Sequence, residues 1–362
     1  MIRVLVVDDS AFMRRLLVKL LEPYEDIEVV DTAMDGVFAL DKIERLTDAK
    51  PHVITLDLEM PRLSGMDTLK RIVDRFRLPV ILVSAHTSKG AKVTFDGLAA
   101  GAVDFITKPE RIFSSPVASL GDDLVAKIRA AAKAKVRGPL PRTLRPPAPR
   151  MQASLTTPAR DVVGIAVSTG GPNALSTLLA EIHRGFRPAL LIVQHMPAGF
   201  TAQFAERLAK LASIEVREAA DGDPVVSGLA LVAPGGSHMI LERSAGKLVV
   251  RITRADPVRG HRPSADVLFR SIADVSGSRS VGLVLTGMGE DGADGITAIR
   301  AVGGHTVAQD EASSVVYGMP RAAIERGAID RVLPLSEIAG YLNAMSSRSE
   351  RLDQQRGSPW IA

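Results

Sequence analysis

Three segments of the C-terminal half combine an apolar run, a polar residue and a glycine-containing turn. Ser168 follows "VVGIAV", His195 follows "ALLIVQ", and Asp291 follows "VGLVLTGMGE". A serine hydroxyl becomes nucleophilic at neutral pH when a nearby imidazole accepts its proton and a carboxylate orients that imidazole. The three residues are therefore candidates for a hydrolase triad, provided that the apolar runs are strands that end at one edge of a sheet.

The turn after Ser168 could instead hold a phosphate. The P-loop pattern fails because no lysine follows Gly170 or Gly171, and the dinucleotide pattern fails because Ala166 stands where its second glycine is required. Ala166 also breaks the Gly-x-Ser-x-Gly nucleophile elbow of the α/β-hydrolases. The turn is elbow-like without matching that motif. A serine that only caps the following helix is the competing interpretation of Ser168.

Spacing does not fix which side chains would complete the triad. His261, in "RGHRPSADVLF", competes with His195, which alone among the histidines of this half directly follows a strongly apolar run. Glu290 and Asp310 compete with Asp291 as the orienting carboxylate. Each of these residues, taken singly, could be an ordinary surface or hydrogen-bonded group. The alternatives stay open at this point.

Two turns could supply backbone N–H groups to an oxyanion. Gly170 and Gly171 allow the chain to turn tightly beside Thr169, and glycines flank Met288 in "TGMGEDG". Glycine tolerates backbone angles that other residues avoid, so both N–H groups could point at one reacting carbonyl. Thr169 and Met288 are the candidate donors.

The N-terminal third carries a second set of polar residues at the ends of apolar runs: Asp8, Asp9, Asp57, Ser84 and Lys108. Carboxylates gathered at one edge of a parallel sheet suit Mg²⁺, and a carboxylate can accept a phosphoryl group as an acyl phosphate. The lysine and the serine hydroxyl would balance the added charge. One aspartate could simply cap a helix, but the whole set predicts a phosphoacceptor site.

Strand and helix patterns alternate in two blocks, which predicts the α/β class with two doubly wound parallel sheets. The expected divisions are a first domain at 1–125, a helix end and Pro/Arg-rich linker at 126–160, and a second domain at 161–346. Residues 347–362 show no periodicity and are expected to be a disordered tail.

Charge and composition exclude several classes. The formal net charge is +4, but the run at 133–150 holds six basic residues and no acidic one, and outside it 39 basic side chains face 41 acidic ones. The basicity belongs to the linker, so nucleic acid is not an expected partner. With no cysteine, thiol nucleophiles and disulfides are excluded. The apolar runs are too short for membrane insertion, and the start "MIRVLVVDD" carries no export signal, so a cytoplasmic protein is expected.

Residues 1–125 resemble the response-regulator receiver domain. The resemblance rests on "VDDS", "DLEMPRLSGMD", "SA" and "FITKP" at successive strand ends. It implies a flavodoxin-like fold, phosphorylation of Asp57 and bound Mg²⁺. The positions that match the family's functional residues are the Mg²⁺ ligands Asp8, Asp9, Asp57 and the Glu59 carbonyl, the switch residues Ser84 and Phe105, and the phosphate-binding Lys108.

Over nearly its whole length the chain resembles the chemotaxis protein-glutamate methylesterases. The matching segments of the second block are "GIAVSTGGPNAL", "VQHMPAGFT", "APGGSHM", "PSADVLF" and "LTGMGEDGADG". The resemblance implies a Ser168–His195–Asp291 triad, with Thr169 and Met288 near the oxyanion and no cofactor in this domain. The implied activity is phosphorylation-activated removal of methyl esters from chemoreceptor glutamates, together with deamidation of specific glutamines.

The implied partners are methyl-accepting chemoreceptors as substrates and a chemotaxis histidine kinase as phosphodonor, and a monomer is expected. Two other classes of function compete with this interpretation. A DNA-binding output would need a helix-turn-helix, whereas this block shows strand patterns and glycine-rich turns. A non-catalytic receiver-adaptor that only binds receptors or another signalling partner stays open on spacing alone.

Overall fold

The structure is a computed structural model whose contacts divide the chain into two compact units, Met1–Arg142 and Thr143–Ala362. Most of the expected linker and the end of the expected tail lie outside the described residues. Among the described helices, none combines the length and apolarity that a bilayer span requires. The described residues are 1–46, 49–85, 87–109, 117–136, 159 and 161–356.

The first unit is a five-stranded parallel sheet with helices between its strands. Its strands are β1 (Ile2–Val7), β2 (Ile27–Ala33), β3 (Val53–Asp57), β4 (Val80–Ser84) and β5 (Asp104–Thr107). Its helices are α1 (Ala11–Leu21), α2 (Gly36–Arg45), α3 (Gly65–Arg71), α4 (Ser88–Ala99) and α5 (Val117–Ala131), with a π-helical segment Ile72–Phe76 after α3.

The strand order of this sheet is β2-β1-β3-β4-β5. The order reverses between β1 and β3, and ligands of such sheets bind at the carboxyl ends of the strands at that point. Every residue of β3 and β4 is buried, as expected for strands covered on both faces. Side chains of Ser10, Asp35, Ser64 and Thr87 accept N–H groups of the helices that follow them, which fixes where those helices begin.

The second unit is built on a seven-stranded parallel sheet, with one separate hairpin. Its strands are β6 (Val162–Val167), β7 (Ala189–Gln194), β8 (Glu215–Glu218), β9 (Leu229–Val232), β10 (His238–Ser244), β11 (Lys247–Thr253), β12 (Ser280–Val284), β13 (His305–Gln309) and β14 (Arg331–Leu333). Its helices are α6 (Gly171–Glu181), α7 (Thr201–Leu211), α8 (Ala265–Ser276), α9 (Ala293–Ala301), α10 (Met319–Glu325) and α11 (Leu335–Arg356), with a 3₁₀ turn Gly277–Arg279 after α8.

The order of the large sheet is β14-β13-β12-β6-β7-β9-β8, so β6 lies centrally between β12 and β7. All six residues of β6 are buried. Helix α8 packs so closely on β6 that a Cβ at Gly164 would lie 2.8 Å from the Phe269 ring. The sheet reverses its order between β6 and β12, which makes the carboxyl ends of these strands the expected binding edge.

The fold class expected from the sequence is confirmed, with local differences in this unit. The run "KLVVRI" is not in the large sheet, because it pairs antiparallel with β10 in a hairpin. Three strands had no sequence signal: β8 and β14 are short and polar or exposed, and β10 alternates only weakly. Helix α11 runs past 346 to Arg356, in contrast to the disorder expected there, since Glu, Arg, Leu and Gln favour helix without an apolar stripe.

Candidate active site and receiver site

Ser168 and His195 lie side by side at the carboxyl end of the large sheet. Val167 and Gln194 pair in register, and the two candidate residues come directly after them. The His195 N–H donates to the Val167 carbonyl at 3.1 Å. On the other side of β6, the Ser168 N–H donates to the Thr286 carbonyl at 3.1 Å, just after β12. The ends of three neighbouring strands therefore meet around Ser168.

Asp291 comes from the loop after β12 and contacts His195 directly. Its Oδ2 lies 2.7 Å from His195 Nε2, and the carboxylate has no solvent exposure. The same carboxylate accepts hydrogen bonds from Ser264 Oγ at 2.7 Å and from the N–H groups of Ala265 and Asp266 at 2.6 and 3.2 Å. These donors form the N-terminus of α8, where the helix dipole stabilises a negative charge.

The environment of Asp291 keeps it ionised. Burial disfavours its charged form, but the hydrogen bonds from His195, Ser264 and Ala265 outweigh burial and hold the pKa of this carboxyl well below its usual range. An ionised carboxylate can only accept, so His195 must carry a proton on Nε2. The other ring nitrogen of neutral His195, Nδ1, is then the one with a free lone pair.

Nδ1 of His195 is buried and makes no hydrogen bond to any described residue. The hydroxyl of Ser168 is therefore not yet bonded to the imidazole, although the side chain is half-buried beside it in the sheet. In enzymes without substrate, such catalytic hydrogen bonds are often long and close only in the complex. The structure thus brings together the imidazole and the carboxylate, and leaves one nitrogen unpaired for a hydroxyl proton.

Gly287, the residue before Met288, packs closely against Ser168. A Cβ built on Gly287 would lie 2.9 Å from Ser168 Cβ and 2.3 Å from Met319 Sδ, so only glycine fits there. The buried Thr286 hydroxyl donates to the Thr169 carbonyl at 3.0 Å and joins the two turns. The N–H groups of Thr169 and Met288 are therefore carried by two turns that pack against the same serine.

The competing acids occupy other places. Glu290 is exposed and forms ion pairs with Arg259 and, at 2.8 Å, with Arg326. Asp310 accepts hydrogen bonds from the N–H and hydroxyl of Ser313. His261, the competing histidine, does not take the place of His195. Its ring stacks on the His195 ring, with centroids 4.0 Å apart.

The receiver unit gathers its own polar cluster at the ends of β1 and β3. One carboxylate oxygen from each of Asp8, Asp9 and Asp57 lies within 4.8 Å of the others. Lys108 Nζ lies 2.7 Å from Asp57 Oδ2 and 3.0 Å from Asp8 Oδ2. Burial raises the pKa of Asp57, and the hydrogen bonds from Lys108 and the Glu59 N–H only partly offset it.

The expected switch residues Ser84 and Phe105 make contacts with helix α4. Ser84 Oγ lies 2.5 Å from Thr94 Oγ1 and donates to the Gly90 carbonyl at 3.3 Å, both on α4. Phe105 is buried and packs edge-on against Phe95, with centroids 6.5 Å apart. The Ser84 hydroxyl and the Phe105 ring therefore both contact residues of α4.

Comparison with known proteins gives the family. The response-regulator receiver domain model matches residues 4–113, and the CheB methylesterase model matches residues 163–342. A protein-glutamate methylesterase/protein-glutamine glutaminase from Koribacter versatilis is 49% identical, with 96% of each chain covered. The chain belongs to the CheB methylesterase family.

Other members support this assignment. A relative from Pyrococcus horikoshii, also named protein-glutamate methylesterase/protein-glutamine glutaminase, is 44% identical over 93% of this chain and 91% of its own length. The crystal structure of the Thermotoga maritima CheB methylesterase catalytic domain covers 51% of this chain and 98% of that one, at 36% identity and a TM-score of 0.50. A receiver-linked enzyme is therefore favoured over a non-catalytic adaptor.

Two residues that support the site of this CheB chain, Gln194 and His238, were not among those expected from the sequence. The Gln194 side-chain amide donates to the carbonyls of Ser168 and His195 at 3.0 and 3.1 Å. His238, at the start of β10, is buried, and its Nδ1 accepts the Ser264 N–H at 3.2 Å. A polar residue just before a candidate base was the only available signal for Gln194.

Proposed function

We propose that this CheB chain hydrolyses the methyl esters of glutamate side chains on chemoreceptors, with Ser168 as nucleophile, His195 as base and Asp291 as the carboxylate that orients the base. The observation that carries the assignment is the 2.7 Å contact between His195 Nε2 and Asp291 Oδ2, at a strand end next to that of Ser168. Without a nearby base, Ser168 at this turn would be equally compatible with a residue that only caps the following helix. An imidazole paired with a fully buried carboxylate, at the neighbouring strand end, favours the nucleophile.

The first half-reaction forms an acyl-enzyme. Ser168 Oγ attacks the ester carbonyl carbon as its proton passes to His195 Nδ1, and a tetrahedral oxyanion forms. The N–H groups of Thr169 and Met288 stabilise that oxyanion. The carbon–oxygen bond to the methoxy group then breaks. The imidazolium of His195 gives its proton to the departing methoxy oxygen, so that methanol leaves.

The second half-reaction restores the serine. Water attacks the glutamyl-serine ester, and its proton passes to His195 Nδ1. The ester bond to Ser168 breaks, the serine oxygen recovers the proton, and the receptor keeps a free glutamate. A glutamine at the same site passes through the same acyl-enzyme and releases ammonia. Asp291 stays ionised throughout and stabilises the transient imidazolium.

In the receiver unit we propose that Asp57 accepts a phosphoryl group from a histidine kinase. Asp8, Asp9, Asp57 and the Glu59 carbonyl would hold Mg²⁺. The donor set fits, since all the ligands are hard oxygens and the three carboxylates each place one oxygen within 4.8 Å of the others. In addition, Asp8 Oδ2 lies 3.0 Å from the Lys108 ammonium but makes no hydrogen bond to a described residue. Bound Mg²⁺ would neutralise charge on the phosphoryl oxygens.

The activating change would start at three side chains. Lys108, already beside Asp57, would pair with the phosphoryl group, and the Ser84 hydroxyl would leave Thr94 to bond a phosphoryl oxygen. Phe105 would then repack, and the altered receiver would relieve restraint on the catalytic unit. Because the kinase draws its phosphoryl group from ATP, we propose that the protein is cytoplasmic. We also propose that it acts as a monomer.

The deciding experiment measures methanol released from methylated chemoreceptor by the full chain. Wild-type protein is expected to release methanol, and Ser168→Ala to release none above background. Incubation of the wild-type protein with a small phosphodonor and Mg²⁺ is expected to raise the rate. Specific binding of receptor with no methanol from the wild-type protein would favour the adaptor and refute the assignment.

A further inference from the structure

His195 is covered on one face by a second imidazole. The ring of His261 stacks on it, with centroids 4.0 Å apart and planes 7° from parallel. The Nε2 edge of His195 is meanwhile occupied by Asp291 at 2.7 Å. The base is therefore restrained by a carboxylate at one edge and by a flat ring against one face.

The loop that carries His261 is tightly constrained. Val258 and His261 exchange backbone hydrogen bonds of 3.1 and 2.9 Å, and the two residues between them, Arg259 and Gly260, both have positive φ, at 51° and 81°. Two residues with positive φ form a type I′ turn, which is a well-defined hairpin connection. The position of the His261 ring is thus fixed by a short rigid hairpin.

A cluster of ion pairs joins this hairpin to the loop that carries Asp291. Arg259 pairs with Glu290, just before that aspartate, and with Asp294 Oδ2 at 2.7 Å, just after it. Arg326 also pairs with both acids, at 2.8 and 2.9 Å. The two groups that contact His195 are therefore held relative to each other by residues outside the triad.

We propose that His261 is a positioning residue for His195, an inference that rests on the proposed function. Its ring keeps the imidazole in the plane that directs Nε2 to Asp291 and Nδ1 to the Ser168 side. It also shields one face of the base from water. Since an ester-hydrolysing site loses rate steeply when its base is misplaced, removal of the stack should lower turnover more than substrate binding.

The test compares His261→Ala, which removes the stack, with His261→Phe, which keeps a flat ring but no nitrogen. His305→Ala, at an exposed histidine at the start of β13, is the matched control. For each full-length variant, kcat and KM for methanol release from methylated receptor are measured, with the rate of Ser168 labelling by a fluorophosphonate probe. Thermal unfolding checks that each variant is folded.

His261→Ala is expected to lower kcat and the labelling rate by about 10-fold to 100-fold, with KM within about twofold. His261→Phe is expected to restore both rates to within about threefold of the wild type. A folded His261→Ala with unchanged kcat, a raised KM at unchanged kcat, or a Phe variant as slow as Ala would each overturn the inference. Failure of the wild-type enzyme itself would instead overturn the proposed function.

Discussion

Ser264 donates its hydroxyl hydrogen bond to Asp291 Oδ1 at 2.7 Å, on the oxygen opposite to the one that contacts His195. Ser264 is also the N-cap position of α8, and its own N–H donates to the buried His238. The Asp291 carboxylate is thus hydrogen-bonded to the N-terminus of α8, and that N-terminus is in turn hydrogen-bonded to His238. This arrangement fixes both the charge of Asp291 and the direction in which it faces.

Substitution of Asp291 by asparagine should disable the base without removing its shape. The amide can donate to Nε2 of His195, which would place the proton on Nδ1, the atom that must accept from Ser168. We expect kcat for methanol release to fall by about 10³-fold to 10⁴-fold. Asp274→Asn, the same change at an exposed position of α8, is the control and should stay within about threefold. A loss of less than tenfold in Asp291→Asn would show that another group orients the base.

The depressed pKa of Asp291 should also appear in the pH dependence of stability. A carboxyl whose pKa is lower in the folded than in the unfolded state adds stability above the unfolded pKa, and this stability is lost as the pH falls toward the folded pKa. The free energy of unfolding of the catalytic domain should therefore decrease below about pH 4. Asp291→Asn should make that decrease shallower.

The measurement for this pH effect is calorimetric unfolding of the full chain at several pH values between about 3 and 7. The matched control is Asp274→Asn, at an exposed position of α8, which should leave the wild-type slope in place. If the Asp291→Asn protein shows the same loss of stability on acidification as the wild type, the carboxylate does not have the depressed pKa that its hydrogen bonds imply.

Gln194 should support catalysis through the two hydrogen bonds that its amide nitrogen donates, because they link the carbonyls of Ser168 and His195. Gln194→Glu has nearly the same shape but would direct a buried carboxylate at two carbonyl oxygens. We expect it to lower kcat by about 10-fold or more at pH 8, with partial recovery near pH 6 as the new carboxyl is protonated and donates. Steady-state rates at both pH values give the comparison.

Gln203→Glu, on α7, is the control for Gln194→Glu, since its side chain makes no hydrogen bond within the described residues. It should show the wild-type pH profile. A Gln194→Glu enzyme that is equally slow at both pH values would contradict the donor role and point to a packing defect instead.

Apolar runs predicted correctly where the principal strands lie, because a fully buried parallel strand needs a continuous apolar segment. This placed Ser168 and His195 at adjacent strand ends. Spacing alone could not select Asp291 over Glu290 and Asp310, since all three follow apolar runs and the choice depends on loop conformation; the resemblance to the methylesterases was needed to select it. The stacking of His261 was equally invisible, because it depends on a two-residue turn with positive φ and on ion pairs between distant loops.

Activation through the receiver should depend on Asp57. Because Asp57 is the carboxylate proposed to accept the phosphoryl group, and Lys108 lies 2.7 Å from it, we expect its loss to prevent formation of the acyl phosphate. Asp57→Ala should show no increase in methanol release when a small phosphodonor and Mg²⁺ are added, whereas the wild type should show about a tenfold increase, the equivalent of about 1.4 kcal/mol. Paired rate measurements with and without the phosphodonor provide the test.

The control for Asp57→Ala is Asp74→Ala, at an exposed position in the π-helical segment after α3. It should be stimulated as strongly as the wild type, because Asp74 lies outside the carboxylate cluster. Equal stimulation of Asp57→Ala and wild type would mean that the phosphodonor acts elsewhere. In that case the catalytic assignment of Ser168 could stand, but its control by the receiver could not.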